Sequence, residues 1–253
     1  MNPVKVHNCV IGEGAPKICV PIVARDMRDL FSQTRSINIK DYDIIEWRAD
    51  WFQDISDHSM LRRAIRAIRG ILGEVPLLFT FRTLAEGGES DIPQEEYCAL
   101  YELVIREHLV DMVDVELFLG DEFVTRIASQ AKHAGLPVII SNHDFTQTPC
   151  KEELLKRMHQ AEALGADIIK IAMMPQKPQD VLTLLSATEE MYRQTECPLI
   201  TMSMGKLGSV SRICGELTGS AVTFGSSGKA SAPGQIEIDQ LRDFLRILKI
   251  HNY

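Results

Sequence analysis

Eight short runs rich in β-branched and apolar residues recur along the chain, and a helix-like stretch follows each of them. The runs occupy residues 18–24, 43–49, 77–82, 112–117, 137–144, 168–173, 199–204 and 221–226. Strands that alternate with amphipathic helices pair in parallel, because each helix carries the chain back to the start of the next strand. Eight such units within 253 residues match the number of units and the length of a (β/α)8 barrel, or TIM barrel, an α/β fold. We therefore expect residues 1–253 to form one barrel domain.

Capping residues place the ends of three of the helices. Ser56 or Asp57 is suited to begin a helix within residues 56–72, and Pro93 to begin one within residues 93–110. Gly165 is suited to end a helix within residues 148–165.

The residues before the first run predict an addition to the barrel. Apolar Val4, Val6 and Val10 stand at alternate positions in VKVHNCV, which is typical of a small β-hairpin. We place its turn at residues 12–14 (Gly-Glu-Gly) and expect the hairpin to close the base of the barrel. A doubly wound open sheet is the structural alternative, but no GxGxxG pattern follows the first run.

Charge and cysteine content argue against several kinds of partner. The net charge of −8 disfavours nucleic acid and anionic membranes, because both require a basic surface. The six cysteines show no CxxC motif, and no two histidines stand at the HxH or HxxxH spacing of metal ligands. No segment has the pattern of a signal peptide or a membrane span. We expect a cytoplasmic protein with reduced thiols and no dedicated metal site.

Lys170 is the only charged residue in the apolar run IIKIAM, residues 168–173. Burial pushes an amine toward its neutral form, and the neutral amine attacks carbonyl carbons to make a Schiff base. A lysine that pairs with a carboxylate, or that reaches solvent at a strand end, is the simpler alternative. The polar residues of the other runs decide between these interpretations.

Polar residues of both charge signs gather at the ends of adjacent runs. The active site of a (β/α)8 barrel lies at the carboxyl ends of its strands, whereas the rest of the interior is normally apolar. This pattern therefore indicates a functional site. Its members are Glu46, Arg48, Arg82, Glu86, Asp114, Glu116, residues 142–144 (Asn-His-Asp) and Lys170.

Each role follows from charge and reach. We predict that Lys170 is a nucleophile, that His143 is a general acid and base, and that Glu86 orients the imidazole. Three arginines could bind a carboxylate through paired N–H donors, and three apolar side chains could form a wall that keeps water from the lysine. These are Arg48, Arg82 and Arg212, and Met202, Met204 and Phe224.

Seven motifs occur in a recognisable order. They are EWRAD (46–50), FTFRTLAEGG (79–88), ISNHDF (140–145), IIKIAMMP (168–175), ITMSMGKLG (200–208), SR (211–212) and KASAPGQ (229–235). Together they resemble the type I 3-dehydroquinate dehydratases of the shikimate pathway, over nearly the whole chain. The resemblance implies a (β/α)8 lyase without metal or cofactor, commonly a homodimer. Such a lyase converts 3-dehydroquinate to 3-dehydroshikimate and water on the route to chorismate and the aromatic amino acids.

The resemblance also implies roles for single residues. Lys170 would form an imine with the C3 ketone, and His143, assisted by Glu86, would remove a C2 proton and then protonate the departing C1 hydroxyl. The positions that match substrate-binding residues of the family are Glu46, Arg48, Arg82, Arg212, Ser231 and Gln235. Pro21 departs from the pattern, because many members have a serine there that touches substrate. Gly205 is a milder departure.

Residues 225–237 (GSSGKASAPGQIE) are rich in small residues, and we expect the next helix to begin near Ile236. We expect this segment to fold over substrate as a lid, since loops at this rim commonly close over a bound ligand. Ser231 and Gln235 would then contact substrate oxygens, while Ala232 and Phe224 would exclude water.

Two rival functions stay open. One is a class I Schiff-base aldolase acting on a phosphosugar, because the loops after the last two runs contain glycine (GKLG and GSSG) where barrels bind phosphate. The other is a non-catalytic barrel that binds a small carboxylate.

Overall fold

The computed structural model describes residues 2–37, 42–226 and 232–250, and its main element is a parallel sheet wrapped into a barrel. The strands are β1 (Val4–Val6), β2 (Cys9–Ile11), β3 (Lys17–Ile22), β4 (Ile44–Arg48), β5 (Leu77–Thr80), β6 (Met112–Glu116), β7 (Val138–Asp144), β8 (Ile168–Met173), β9 (Leu199–Ser203), β10 (Val222–Ser226) and β11 (Ile236–Glu237). The α-helices are α1 (Met27–Ser36), α2 (His58–Leu72), α3 (Gln94–Arg106), α4 (Asp121–Ala134), α5 (Lys151–Ala163), α6 (Pro178–Gln194), α7 (Gly215–Thr218) and α8 (Ile238–Ile247). Short 3-10 helices follow β4, β5, β6 and β9 at residues 49–51, 84–86, 117–119 and 209–212.

The strand order identifies a (β/α)8 barrel. Strands β3 to β9 each pair in parallel with their neighbours in sequence, and β10 pairs with β3. The circle closes between β9 and β10, where the Ala221 amide donates to the Leu199 carbonyl oxygen at 2.7 Å. An open doubly wound sheet reverses its strand order at a switch point, and this order does not reverse. The predicted barrel and its eight predicted strands are confirmed, with ends that shift by no more than two residues.

The helix ends follow from the capping residues. The Asp57 carboxylate accepts from the amides of Ser59 at 2.8 Å and Met60 at 3.2 Å, so it caps the free N–H groups at the start of α2. Pro93 directly precedes α3. Beyond α5, Gly165 has a φ of 97°, a conformation that favours glycine. The three predicted helix ends are confirmed.

The sheet separates two apolar cores. Outside the barrel, strand side chains pack against the helices, and Trp47 meets Phe52 and Phe79 edge to face with ring centroids 5.8 Å apart. Inside the barrel, each barrel strand contributes one buried apolar side chain to a lower layer. That layer consists of Cys19, Ile44, Leu78, Met112, Ile139, Ile168, Ile200 and Val222. Two residues further along most strands the inward positions become polar, so the apolar layer forms the floor of the candidate site.

Strands β1 and β2 form the predicted hairpin at the base of the barrel. Val6, Cys9 and Ile11 are buried in the same inner core as the lower layer. The predicted turn, however, is wrong. Val6 pairs with Cys9, so the turn consists of residues 7–8, and its first residue is a histidine with a φ of 51°. The glycines of residues 12–14 instead carry the chain from β2 into β3.

The last helix, α8, begins at Ile238, two residues after the predicted start near Ile236, and residues 236–237 form strand β11. Strand β10 pairs with β3 as far as Phe224 opposite Cys19, and its next two residues pair with β11. The pairing of β3 with β10 ends before Pro21. Alternate residues of β3 face β10, as the Lys17 amide shows by donating to the Ala221 carbonyl oxygen at 2.8 Å. Pro21 lies on that side of β3 and has no N–H to donate, so it cannot continue the pairing. Strand β11 pairs with β10 on the side away from β3.

The hairpin should contribute to stability through its buried face. We expect Ile11→Ala to lower the free energy of unfolding by about 2–5 kcal/mol, because Ile11 is fully buried and the substitution leaves a cavity. Val10→Ala, on the partly exposed face of the same strand, should cost clearly less. Urea unfolding of both variants measures the difference. Equal costs would mean that the hairpin does not form part of the inner core.

Candidate active site

A cavity with about 440 Å³ of empty space opens at the carboxyl ends of the barrel strands. Its lining residues are Glu46, Arg48, Arg82, Glu86, Gly87, His143, Phe145, Lys170, Ala172, Met202, Met204, Phe224, Ala232 and Gln235. Eleven of the thirteen predicted site residues are among them. The other two are Arg212, which contacts the lining residues Met202 and Phe224, and Ser231, which lies outside the described residues.

Lys170 is almost completely buried, with 3% of its surface exposed. Its Nζ donates to Asp114 Oδ2 at 2.8 Å and lies 3.7 Å from Glu46 Oε1. On the other side, Nζ lies 4.7 Å from the centroid of the Phe224 ring. The apolar run predicts that Lys170 is shielded from water, and the structure shows in addition that two carboxylates lie beside its amine. A lysine amine attacks a carbonyl carbon only in its neutral form, and the two carboxylates face the positive charge of the iminium ion that the attack produces.

Arg82 links the carboxylates of neighbouring strands. Its guanidinium donates to Asp114 at 2.7 Å, to Ser141 Oγ at 2.9 Å and to Glu116 at 3.1 Å, and it lies 3.7 Å from Glu86. Burial opposes ionisation of Asp114, but the charges of Arg82 and Lys170 outweigh it and hold the pKa of Asp114 well below its ordinary value. Because Arg82 is surrounded by protein carboxylates, it is poorly placed to be the main ligand of a substrate carboxylate.

Arg48 has its own carboxylate partner. Its Nε and Nη2 each donate to Asp50 at 2.8 Å, in a paired geometry that fixes the plane of the guanidinium. Asp50 also accepts from the amides of Arg82 at 3.3 Å and Glu89 at 3.0 Å. Asp50 therefore ties the rim of the site to the strand ends, and the side of Arg48 that lines the cavity is held in place.

His143 and Glu86 form a second pair. Glu86 Oε2 lies 2.8 Å from His143 Nδ1 and accepts from the His143 amide at 2.9 Å. Burial, together with the positive charges of Arg82 and Lys170, holds the pKa of His143 well below its ordinary value, so the imidazole is neutral at pH 7. Burial also raises the pKa of Glu86, although Arg82 opposes this. Nε2 has no hydrogen-bond partner among the described residues, so it is available to a ligand in the cavity.

Glu86 is held in place by the glycines that follow it. The Gly88 amide donates to the Thr83 carbonyl oxygen at 2.8 Å, which closes the turn. A Cβ at Gly88 would lie 1.9 Å from the Arg82 carbonyl oxygen, so only glycine fits there. The motif LAEGG thus fixes the carboxylate beside the imidazole.

Arg212 differs from the other buried arginines. It is 1% exposed, and no carboxylate of the described residues lies within ion-pair distance of it. Its guanidinium contacts the Pro233 carbonyl oxygen at 3.1 Å and the Phe224 carbonyl oxygen at 3.4 Å, and its Nε has no partner within the described ranges. Burial lowers the pKa of Arg212 to about 10. A buried guanidinium in this state is suited to bind an anion.

The described end of the predicted lid lies against the loop after β9. The Pro233 carbonyl oxygen accepts from the Gly205 amide at 3.1 Å as well as from Arg212. Gly205 has a φ of 68°, and a Cβ on Gly234 would lie 2.3 Å from the Gly205 carbonyl oxygen. The glycine at 205 therefore has a local structural reason. Residues 227–231, which include Ser231, lie outside the described residues, so the lid stays a prediction.

The sequence gives little weight to several residues that the structure brings to the site. Asp114 and Glu116 are recognisable by their spacing of two on one strand, but the contact of Asp114 with Lys170 requires the register of β6, β7 and β8. Asp50 and Ser141 carry no signal of their own, because single polar residues at strand ends are common. Asn142 lies in a recognised motif, yet its contact with Glu86 at 3.0 Å becomes apparent only in the fold.

Among the residues described, no three histidine, cysteine or acidic side chains are grouped as metal ligands. All six cysteines are free thiols. None of the helices described has the length and apolar character to cross a membrane.

A family model described as type I 3-dehydroquinase matches residues 18–252. The chain belongs to the type I 3-dehydroquinase family. A 3-dehydroquinate dehydratase from Listeria monocytogenes serotype 4a (strain HCC23) is 48% identical over 248 residues, which cover 98% of each chain. One from Clostridioides difficile (strain 630) is 45% identical over 246 residues, which cover 97% of this chain and 96% of the relative.

Solved structures of this family agree with the fold. The type I 3-dehydroquinate dehydratase from Clostridium difficile, in a crystal structure with covalent modified comenic acid, gives a TM-score of 0.95 at 44% identity and covers 98% of this chain and 99% of that chain. The 3-dehydroquinate dehydratase from Geobacillus kaustophilus HTA426 gives 0.96 at 42% identity and covers 100% of both chains. A 3-hexulose-6-phosphate synthase from Salmonella typhimurium, 18% identical with a TM-score of 0.58, shares only the fold and covers 92% of this chain and 99% of that chain.

The buried ion pairs of the site should contribute to the free energy of unfolding. Asp114→Asn leaves Arg82 and Lys170 without their shared carboxylate, and we expect it to lower the free energy of unfolding at pH 7 by about 3–5 kcal/mol. Because the folded-state pKa of Asp114 is depressed, its contribution is fully present above its ordinary value of 3.8 and is lost as pH falls below that value. The difference between parent and variant should therefore narrow on acidification.

Urea unfolding at pH 7, 5 and 2.5 measures this difference, which should be the same at pH 7 and 5 and smaller at pH 2.5. Glu107→Gln, which breaks a surface pair with Arg62, is the matched control and should change stability much less. A variant as stable as the parent at pH 7 would contradict the assignment of Asp114 as the shared partner of two buried cations.

Proposed function

We propose that this chain dehydrates 3-dehydroquinate to 3-dehydroshikimate, the third step of the shikimate pathway to chorismate, and that Lys170 forms the imine. One observation carries the proposal: the buried amine of Lys170 and the neutral imidazole of His143 line the same cavity. Glu86 holds that imidazole through Nδ1. Membership of the type I 3-dehydroquinase family and the names of its relatives support the substrate.

Arg212 is the proposed ligand of the substrate carboxylate. It is buried without a carboxylate partner among the described residues, so an anion at the cavity would supply its missing counter-charge. Gln235 and Ser231 are proposed to bind the same end of the substrate. Glu46, Arg48 and Arg82 are proposed to bind hydroxyl groups from the side of β4 and β5. Met202, Met204, Phe224 and Ala232 would form the apolar wall.

In the first step the neutral Lys170 amine attacks the C3 carbonyl carbon, and the resulting carbinolamine loses water to give a protonated imine. The proton that Lys170 gives up before the attack passes to His143 Nε2, and His143 then donates it to the carbinolamine hydroxyl, which departs as water. The imine retains the positive charge that Lys170 carried, so Asp114 and Glu46 face a cation before and after the step. The charge balance of the site is thus already adapted to the intermediate.

In the second step His143 Nε2 removes a proton from C2, and the electron pair of the C–H bond passes toward the iminium nitrogen to form an enamine. The enamine then expels the C1 hydroxyl, which takes the proton from His143 and departs as water. Hydrolysis of the conjugated imine releases 3-dehydroshikimate and restores the Lys170 amine. For Nε2 to act as the base, Nδ1 must carry the proton, and the Glu86 carboxylate 2.8 Å away is placed to accept it.

The rival functions have less support. A phosphosugar aldolase would need a phosphate site, and the likeness to 3-hexulose-6-phosphate synthase shows only the fold. A carboxylate-binding barrel would not require Lys170 and the His143–Glu86 pair in one cavity.

We also propose that residues 1–253 act as one catalytic domain in a cytoplasmic homodimer. The resemblance to the family supports the dimer, and six free thiols support a reducing compartment. Sedimentation velocity over a range of protein concentrations tests the dimer.

The imine can be trapped chemically. We expect borohydride added with 3-dehydroquinate to inactivate the enzyme and to leave a substrate-derived mass on Lys170, because borohydride reduces an imine to a stable amine. Peptide mass spectrometry locates the label, and Lys170→Ala should remain unlabelled and inactive. Lys156→Ala, a control at an exposed lysine, should label normally. Labelling at another lysine, or full activity of Lys170→Ala, would overturn the assignment.

Arg212 can be tested by separating binding from turnover. We expect Arg212→Met to raise KM for 3-dehydroquinate by roughly 10-fold to 150-fold, as for the loss of a charged hydrogen-bond partner, with a smaller change in kcat. Arg246→Met, at an exposed arginine of α8, is the control. An unchanged KM in Arg212→Met would show that another group binds the carboxylate.

A further inference from the structure

Behind the His143–Glu86 pair lies a chain of contacts that reaches the helix layer. Asn142 follows Ser141 on β7, so its side chain leaves the strand on the side away from the barrel interior, and it is 2% exposed. Its Nδ2 donates to Glu86 Oε1 at 3.0 Å, and its Oδ1 accepts from Arg157 Nη1 at 3.0 Å. Arg157 belongs to α5, so a helix residue is connected to the catalytic pair through one amide.

We propose that Asn142 and Arg157 are positioning residues that keep Glu86 ionised and so keep His143 in the tautomer with a free Nε2. The proposal rests on the proposed function of the pair. It also assigns a role in the reaction to a residue, Arg157, that does not line the cavity.

The orientation of the Asn142 amide is the central point. A guanidinium has only donors, so the oxygen of the amide must face Arg157, and the –NH2 group must then face Glu86. Without Arg157 the amide could rotate and present its oxygen to Glu86. An oxygen in that position repels a carboxylate but accepts a hydrogen bond from a protonated carboxyl. Arg157 therefore selects the orientation that favours the Glu86 carboxylate.

Glu86 needs such support because of its surroundings. Burial and the nearby Glu116 raise the pKa of Glu86 to about 8, although Arg82, at 3.7 Å, and the N–H donors of Asn142 and His143 oppose the rise. Glu86 therefore titrates near neutral pH, where the loss of a single donor changes its ionised fraction. Should Glu86 take a proton, its hydroxyl would donate to His143 Nδ1, and the imidazole would carry its own proton on Nε2. A protonated Nε2 cannot remove the C2 proton. Each N–H donor that favours the carboxylate therefore extends the active range toward lower pH.

Arg157 is itself held in place by its neighbours. Its Nε donates to Glu153 Oε1 at 2.9 Å on the same helix, and its guanidinium lies 5.3 Å from the centre of the Phe118 ring. The positive charge of Arg157 also contributes to lowering the pKa of Asp144, at the end of β7. The side chain is 15% exposed, so it can be replaced with less risk to folding than the buried Asn142.

The test compares Arg157→Met with Arg193→Met. Both substitutions remove an arginine from a pair with a glutamate four residues earlier on a helix, but Arg193 makes no contact with the site. In Arg157→Met we expect the acid limb of the plot of kcat against pH to shift to higher pH by about half a unit to one unit. The reason is that the Glu86 carboxylate loses the N–H donor that Asn142 supplies. Above the limb kcat should stay within about twofold of the parent. Arg157→Lys, which still supplies a donor, should restore part of the shift, and Arg193→Met should match the parent.

A second measurement does not depend on turnover. In protein with ¹⁵N-labelled histidine, the nitrogen chemical shifts of neutral His143 should show a proton on Nδ1 in the parent and a larger Nε2–H population in Arg157→Met. An unmoved acid limb with an unchanged tautomer would overturn the proposal, and so would an equal loss of kcat at every pH. Failure of the parent to dehydrate 3-dehydroquinate would instead contradict the proposed function, and the tautomer comparison would still test the positioning role.

Discussion

The ion cluster of Lys170, Asp114 and Arg82 is the interaction on which the rest of the site depends. An ionised carboxylate inside a barrel is unfavourable unless cations and donors surround it, and Asp114 is fully buried. Its two oxygens are divided between Arg82 of the β5 end and Lys170 of β8. Because the three charges come from different strands, they must pack in one register to be satisfied together. The same contacts leave the Lys170 amine with little freedom to move.

Charge is distributed unevenly around the cavity. Among the described residues, the buried carboxylates near the β4 to β6 ends are Glu46, Asp50, Glu86, Asp114 and Glu116, and the cations paired with them are Arg48, Arg82 and Lys170. Arg212 lies on the β9 and β10 side without a carboxylate partner. The negative side suits an iminium ion and the positive side suits a carboxylate, so a substrate with a ketone and a carboxylate has one preferred direction. This fixed field needs little rearrangement during the reaction, which is how preorganised sites stabilise charged intermediates.

The sequence predicts the repeating parts of this structure better than the contacts between them. The alternation of strands and helices defines the barrel, and motifs of Lys170, His143 and Glu86 place the chemistry at the strand ends. The proximity of Asp114 to Lys170 depends on register, which local patterns do not encode. The prediction of the hairpin turn is wrong because glycine usually marks a turn, whereas this turn uses a histidine, His7, with positive φ. The orientation of the Asn142 amide depends on an arginine from a helix, and no motif includes that contact.

Pro21 shows how one substitution can act on two levels of the structure. At the level of side chains, proline offers no hydroxyl, the group that the resemblance to the family predicts at this position. At the level of the backbone, it lacks the N–H that would continue the pairing of β3 with β10, which ends with Phe224 opposite Cys19. Strand β11 directly follows Gln235, a residue of the cavity wall, so the pairing fixes where that side chain enters the site. Because β11 lies on the other side of β10 from β3, the last barrel strand ends its pairing on one edge at Pro21 and is held on the other edge beside the cavity.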